Sequence, residues 1–382
     1  MAMESIKEKF EIIRPYKDSE VKEAIGRLTE DPRFGEILTY LYDGSNLDEL
    51  ISLFKSIETI DEFQIKFSGR AVQRIIDKTS SGFSYGGLDK LDPNVSYLFV
   101  ANHRDIVLDS AIMQLVLVSN GHKTSEITFG SNLMSSQFVV DLGKINKMFT
   151  LYRGGTRIEQ YKNALLHSAY IHHSICNKNE SIWIAQRDGR TKDGSDKTQV
   201  GLLKMFSLGH KDVCTRLKDL NIVPLTISYE YEPCDSSKAR EIYIKGEGAE
   251  YVKHPNEDLE SVIHGIRGYK GKVHMEFGEP LNNFIEELAK EESDANEKIA
   301  KIAEEIDRQI YLNYQLNAIN YIAYDLMMNS SRYKDKYNSK EVIEFENYIS
   351  KKVEKIEGDP SKLREYFLKI YGNPVVNYLS VK

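Results

Sequence analysis

Short apolar runs and longer helical periodicities alternate along the middle of this chain, and the two patterns divide it into three stretches. From residue 1 to about 80, apolar positions recur at helical spacing in VKEAIGRL, FGEILTYLY and LDELISLFKSI. The Ser/Gly/Asn/Pro-rich segment TSSGFSYGGLDKLDPN then predicts a joint. Beyond it, β-branched and aromatic runs predict strands at 96–101, 126–130, 148–152, 181–185, 222–229, 241–245 and 273–278. Helical patterns lie between several of them, at 109–119, 158–175 and 199–208. Such alternation predicts an α/β layered domain over 81–280 with a largely parallel central sheet. After the turn at Gly278-Glu279-Pro280, residues 281–382 return to helical patterns rich in Glu, Lys and Tyr. The expected organisation is therefore a helical N-terminal region (1–80), the α/β domain (81–280) and a helical C-terminal region (281–382).

In open α/β sheets, ligands sit in the crevice beyond the carboxyl ends of the strands. Chemistry is therefore expected in the segment after each predicted strand. After SYLFV comes ANHRDIVLDS, which places His103 at a strand end and Asp109 one turn into the next helix. A His beside a carboxylate is the minimal apparatus for deprotonating a hydroxyl, because the acid fixes the tautomer and steadies the imidazolium that forms. In GKINKMFTLYRGGTR the strand MFTLY delivers Arg153, and two glycines let the backbone approach a ligand before Arg157. Arg153, Arg157 and Lys147 are candidates for a cationic cup, with the Arg fork suited to a pair of phosphate oxygens. In SIWIAQRDGRTKDG an apolar strand ends in the turn Arg187-Asp188-Gly189-Arg190. The fourth motif, NIVPLTISYEYEP, is a strand with Pro224 near its start.

Charge sharpens this picture. The net charge of −7 argues against nucleic acid as the main partner. Between Lys144 and Lys204, however, 11 basic residues face 5 acidic ones, which points to an anionic ligand or anionic lipid at one face. Cys176, Cys214 and Cys234 are odd in number and lack metal-type spacing, so they read as reduced thiols of a cytoplasmic protein. His167 and His172 stand five apart, not the four that aligns two ligands on a helix face, so no metal is expected there. Trp183 reads as packing. No apolar run approaches the ~18–20 residues of a membrane span, and the start of the chain has no signal-peptide core.

The four motifs in this order resemble the glycerolipid acyltransferase family, above all the glycerol-3-phosphate and 1-acylglycerol-3-phosphate acyltransferases. The resemblance covers roughly residues 80–245. It implies that His103 is the general base on an acceptor hydroxyl, oriented by Asp109, and that Arg153 binds the acceptor's phosphate. Asp188 and Gly189 would shape the acceptor pocket with Arg190 beside them, and the Val223-Pro224 strand would support the acyl-thioester side. It also implies no metal, no bound cofactor and no obligatory acyl-enzyme. The donor would be an acyl-coenzyme A or acyl carrier protein thioester, and the setting the cytoplasmic face of a membrane.

Two departures bear on this. The family separates its His and Asp by four residues; here five lie between His103 and Asp109, and Leu108 holds the usual place. Either Asp109 still reaches His103, the favoured reading, or Asp105 is the partner. Asp188 stands where the family usually has Glu, with Gly189-Arg190 following directly. Acceptor identity is therefore open: an amine-bearing or sugar lipid precursor is the alternative within the class, and a non-catalytic lipid- or carrier-binding scaffold the alternative outside it.

Overall fold

The computed structural model describes residues 3–42, 45–254 and 256–382, with side chains from residue 8 onward. Seven strands form one sheet: β1 (Ser80–Gly86), β2 (Leu98–Ala101), β3 (Glu126–Gly130), β4 (Met148–Leu151), β5 (Ile182–Ala185), β6 (Ile222–Tyr229) and β7 (Gly271–Phe277). Their spatial order is β1-β7-β6-β2-β5-β3-β4. The five strands from β6 to β4 run parallel. β7 lies antiparallel to β6, and β1 follows β7 in parallel.

Every residue of β2 and β6 is buried, which is why both read as unbroken apolar runs and not as alternating ones. Alternate residues feed two cores. Phe99, Ala101, Trp183, Val223 and Leu225 face the N-terminal helices and the helix Leu108–Ser119. Leu98, Val100, Ile182, Ile184 and Ile222 face the helices Arg157–Cys176, Asn282–Ala289 and Ala295–Asn313. A third cluster joins Ala239 to Ile319, Phe345, Phe367 and Tyr371 of the C-terminal helices. The fold is a layered α/β structure with a largely parallel sheet and helices on both faces, as the alternation predicts.

Two elements depart from the sequence expectation. Residues 241–245 are not a strand but part of the helix Asp235–Gly246. Tertiary contacts decide it: Lys192 pairs with the nearly buried Glu241, and the Tyr243 hydroxyl accepts the Asp359 N–H at 3.0 Å, while Lys245 adds a pair with Glu241 one helical turn away. Packing of this kind overrides β-propensity. The predicted joint contains β1, an edge strand whose Ser and Gly residues stay half exposed and which pairs with β7 alone. No helix among the described residues is long and apolar enough to cross a membrane.

Candidate active site

β2 ends at Ala101, and the side chain of Asn102 continues its pairing. Asn102 Nδ2 donates to the Ile227 carbonyl at 3.0 Å and to Asp196 at 3.1 Å, while Oδ1 accepts the Ile227 N–H at 2.7 Å. This buried amide extends the contact with β6 by one residue and releases the chain into a loop at the carboxyl edge of the sheet.

His103 comes first on that loop, with 14% of its side chain exposed. Its Nδ1 lies 2.8 Å from Asp109 Oδ2. The same oxygen accepts the Arg104 N–H at 2.6 Å and the Asp105 N–H at 2.9 Å, and Oδ1 accepts the Tyr229 hydroxyl at 2.9 Å. An ionised carboxylate can only accept, so in the neutral imidazole Nδ1 carries the proton and Nε2 keeps its lone pair. Trp183 packs against the imidazole with ring centroids 5.4 Å apart and planes at 73°. The Thr191 N–H donates to the His103 carbonyl at 2.9 Å and so ties the loop after β5 to the loop of His103.

Geometry settles which acid faces the imidazole. The helix begins at Leu108, so Asp109 lies in its first turn and the extra residue is absorbed by the loop before it. Asp105 instead holds the turn that enters that helix, its Oδ1 accepting the N–H groups of Val107 at 2.9 Å and Leu108 at 2.8 Å. Burial, and then the neighbouring Asp109, push the Asp105 carboxyl above its ordinary range. Gly265 packs so close that a Cβ there would stand 2.0 Å from Asp105 Oδ2.

Beneath the loop lies a dry ion network. Arg104 is fully buried and pairs with Asp196 and, at 3.0 Å, with Glu232. Lys238 pairs with the same Glu232 and donates to the Arg104 carbonyl at 2.8 Å. Two acids thus neutralise two bases; removing any one member would strand a buried charge, a loss on the order of 3–5 kcal/mol.

Arg153 follows β4 and reaches back over the end of β3. A Cβ on Gly130 would stand 3.2 Å from the Arg153 Nε, so the glycine leaves room for the guanidinium. That reach brings Arg153 to Asp188, at 2.8 Å, beyond the end of β5 and on the side of β2 and His103. Both groups are well exposed, at 43% and 70%, so the pair contributes only about 0–1 kcal/mol and opens easily for a competing anion. His167, buried and pushed down to about 4 by burial, accepts the Tyr152 N–H at 3.1 Å through its neutral Nε2 and so braces the residue before Arg153.

The remaining candidates divide. Gly189 has φ +72 and makes the turn that carries Asp188. Arg157 is exposed at the start of the helix Arg157–Cys176, on the same edge as Arg153. Arg190 turns inward instead and is only 8% exposed, on the Asp105 side of the loop, where its charge lowers the Asp105 carboxyl. Lys147 does not join the cup. It precedes β4, at the amino edge of the sheet, and its Nζ lies 3.4 Å from Glu180, which precedes β5. Tyr229 is the partner the motifs do not single out: in sequence it is one more aromatic residue of a buried strand.

Fold and site together define an α/β layered protein with a His–Asp pair and an arginine at the carboxyl edge of a mostly parallel sheet. Among solved structures the chain is similar to the 1-acyl-sn-glycerophosphate (LPA) acyltransferase PlsC of Thermotoga maritima. The identity is 14%, over 75% of this chain and 94% of that one, with a TM-score of 0.31. No family model and no curated protein matches the chain.

Proposed function

We propose that the protein is an O-acyltransferase. It moves a fatty acyl group from a coenzyme A or acyl carrier protein thioester to the hydroxyl of glycerol-3-phosphate or its 1-acyl derivative. The observation that carries this reading is the His103 imidazole, bonded through Nδ1 to Asp109 at the carboxyl edge where Arg153 also reaches. Nε2 takes the acceptor hydroxyl's proton as that oxygen attacks the thioester carbonyl. The C–S bond of the tetrahedral intermediate then breaks, and the leaving thiolate takes the proton back from Nε2, so His103 ends as it began. Proton transfer of this kind contributes roughly 10²- to 10⁴-fold. Arg153, freed from Asp188, holds the acceptor's phosphate with Arg157 beside it. Positioning draws on the up to ~7–11 kcal/mol that proximity supplies in favourable cases. A peripheral enzyme on the cytoplasmic face of a membrane would meet both substrates there.

The test is thiol release from palmitoyl-coenzyme A and palmitoyl carrier protein, with and without each acceptor, run beside His103→Ala. Release that requires an acceptor and disappears in the variant supports the transferase and names its acceptor. Release that no acceptor accelerates would make the protein a thioesterase. No release from either donor with either acceptor would overturn this reading.

A further inference from the structure

Asp109 is held by more than its imidazole. Two backbone N–H groups and His103 bind Oδ2, and a single side chain, Tyr229, binds Oδ1 at 2.9 Å. Tyr229 is the last residue of β6 and is 1% exposed, so water cannot replace its hydroxyl. The hydroxyl comes from the neighbouring strand, not from the loop or helix that carry the His–Asp pair.

We infer that Tyr229 is a positioning residue for the His103–Asp109 pair: its hydroxyl fixes the plane in which the carboxylate faces the imidazole and shares the charge that the carboxylate offers to it. This rests on the proposed role of His103. A carboxylate turns about its Cβ–Cγ bond; two backbone N–H groups and His103 hold one oxygen, and the Tyr229 hydroxyl, by holding the other, fixes the plane of the group. The phenol supplies that hold from a rigid strand. It also draws negative charge toward Oδ1 and so weakens the carboxylate's hold on the imidazolium proton. Burial, and then the charge of Asp109, push the Tyr229 phenol well above its ordinary range, so it stays a neutral donor throughout. The other charged groups around the pair come from separate elements. They are Asp105 on the same loop, Arg190 after β5, Glu232 after β6 and Lys270 just before β7. The side chains of these four make no bond to either oxygen of Asp109, so Tyr229 is the side chain whose change reaches His103 through the carboxylate alone.

The experiment is an NMR titration of the full chain carrying ¹³C-labelled histidine, with the His103 signal assigned by its loss in His103→Gln. Two changes are compared: Tyr229→Phe, which removes the donor, and 3,5-difluorotyrosine at 229, which keeps the shape and strengthens it. The expected result is a His103 midpoint about 0.5–1 unit higher in the first and lower in the second, with the other histidines unmoved. In thiol release, the acid limb of the pH profile moves with the titration, and kcat falls while KM holds. An unchanged His103 midpoint in folded Tyr229→Phe would overturn the inference. Should Tyr229→Phe not fold, an unmoved midpoint in the difluorotyrosine protein would overturn it equally. The titration needs no substrate, so a protein that fails to release thiol but shows both shifts would refute the acyl-transfer reading and leave this one standing.

Discussion

The two halves of the carboxyl edge are built on opposite plans. On the β2–β6 side, His103 is backed by Asp109, Tyr229 and Asn102, all buried. Their hydrogen bonds run from 2.6 to 3.1 Å across three separate segments of chain. On the β3–β4 side, Arg153, Arg157 and Asp188 stand in solvent, flanked by Gly154 and Gly155 at φ +77 and +86. A base must keep one geometry to be effective, whereas an anion-binding arm must yield and re-form around its ligand. On the proposed reading, rigidity falls where a proton would move and freedom where a phosphate would enter.

That contrast can be broken from either side. The largest effect is expected for His103→Ala, which should lower acceptor-dependent thiol release by roughly 10²- to 10⁴-fold. Its thermal midpoint should stay close to that of the parent, because the buried Asp109 keeps its other three donors. The open half has one hidden brace, and pH tests it. His167 titrates near 4 in the folded protein and near 6.5 when unfolded, so its contribution is complete above pH 6.5 and is lost as pH falls toward 4. By linkage the loss amounts to about 3 kcal/mol over that window. Urea denaturation of His167→Gln should show a correspondingly shallower fall in stability between pH 7 and pH 4.5.

Smaller effects sharpen the comparison. Arg153→Ala removes a charge-assisted contact of about 1.5–3 kcal/mol, so KM for a phosphate-bearing acceptor should rise about 10- to 100-fold. Stability should hardly move, since the exposed pair with Asp188 contributes little. Gly130→Ala places a methyl 3.2 Å from the Arg153 Nε and 2.6 Å from the Asn132 side chain, and should raise the same KM by a smaller factor with kcat preserved. Lys147→Ala, at the far edge of the sheet, should leave both constants unchanged; a raised KM would put Lys147 back in the anion site.

Much of this is legible in the sequence, for identifiable reasons. β2, β5 and β6 announce themselves because central parallel strands are apolar on both faces, and a motif after each parallel strand falls at the same edge whatever the sheet order. Lys147 misleads because proximity along the chain hides direction. The strand Met148–Leu151 advances about 3.3 Å per residue and carries Lys147 and Arg153 to opposite ends of the sheet. The stretch 241–245 has strand-like composition but is claimed by Glu241 and Tyr243 for a helix. Tyr229 and the Arg104 network are invisible because their partners lie 92 to 134 residues away, and nothing local marks a residue whose work is done at that distance.

The network beneath the His103 loop continues outward. Glu232, which pairs with Arg104, donates its N–H to the Tyr371 hydroxyl at 3.2 Å, and Tyr371 in turn donates to Asp235 at 2.9 Å. Tyr371 lies in the helix Pro360–Ser380. The loop that carries His103 is thereby linked, through Arg104 and Glu232, to the helix Pro360–Ser380. Arg104 has its own charged partners in Asp196 and Glu232, and the helix adds a hydroxyl to the backbone of the second of these. A change at Tyr371 can therefore disturb the support of the His103 loop from a distance, without altering any residue of the loop itself.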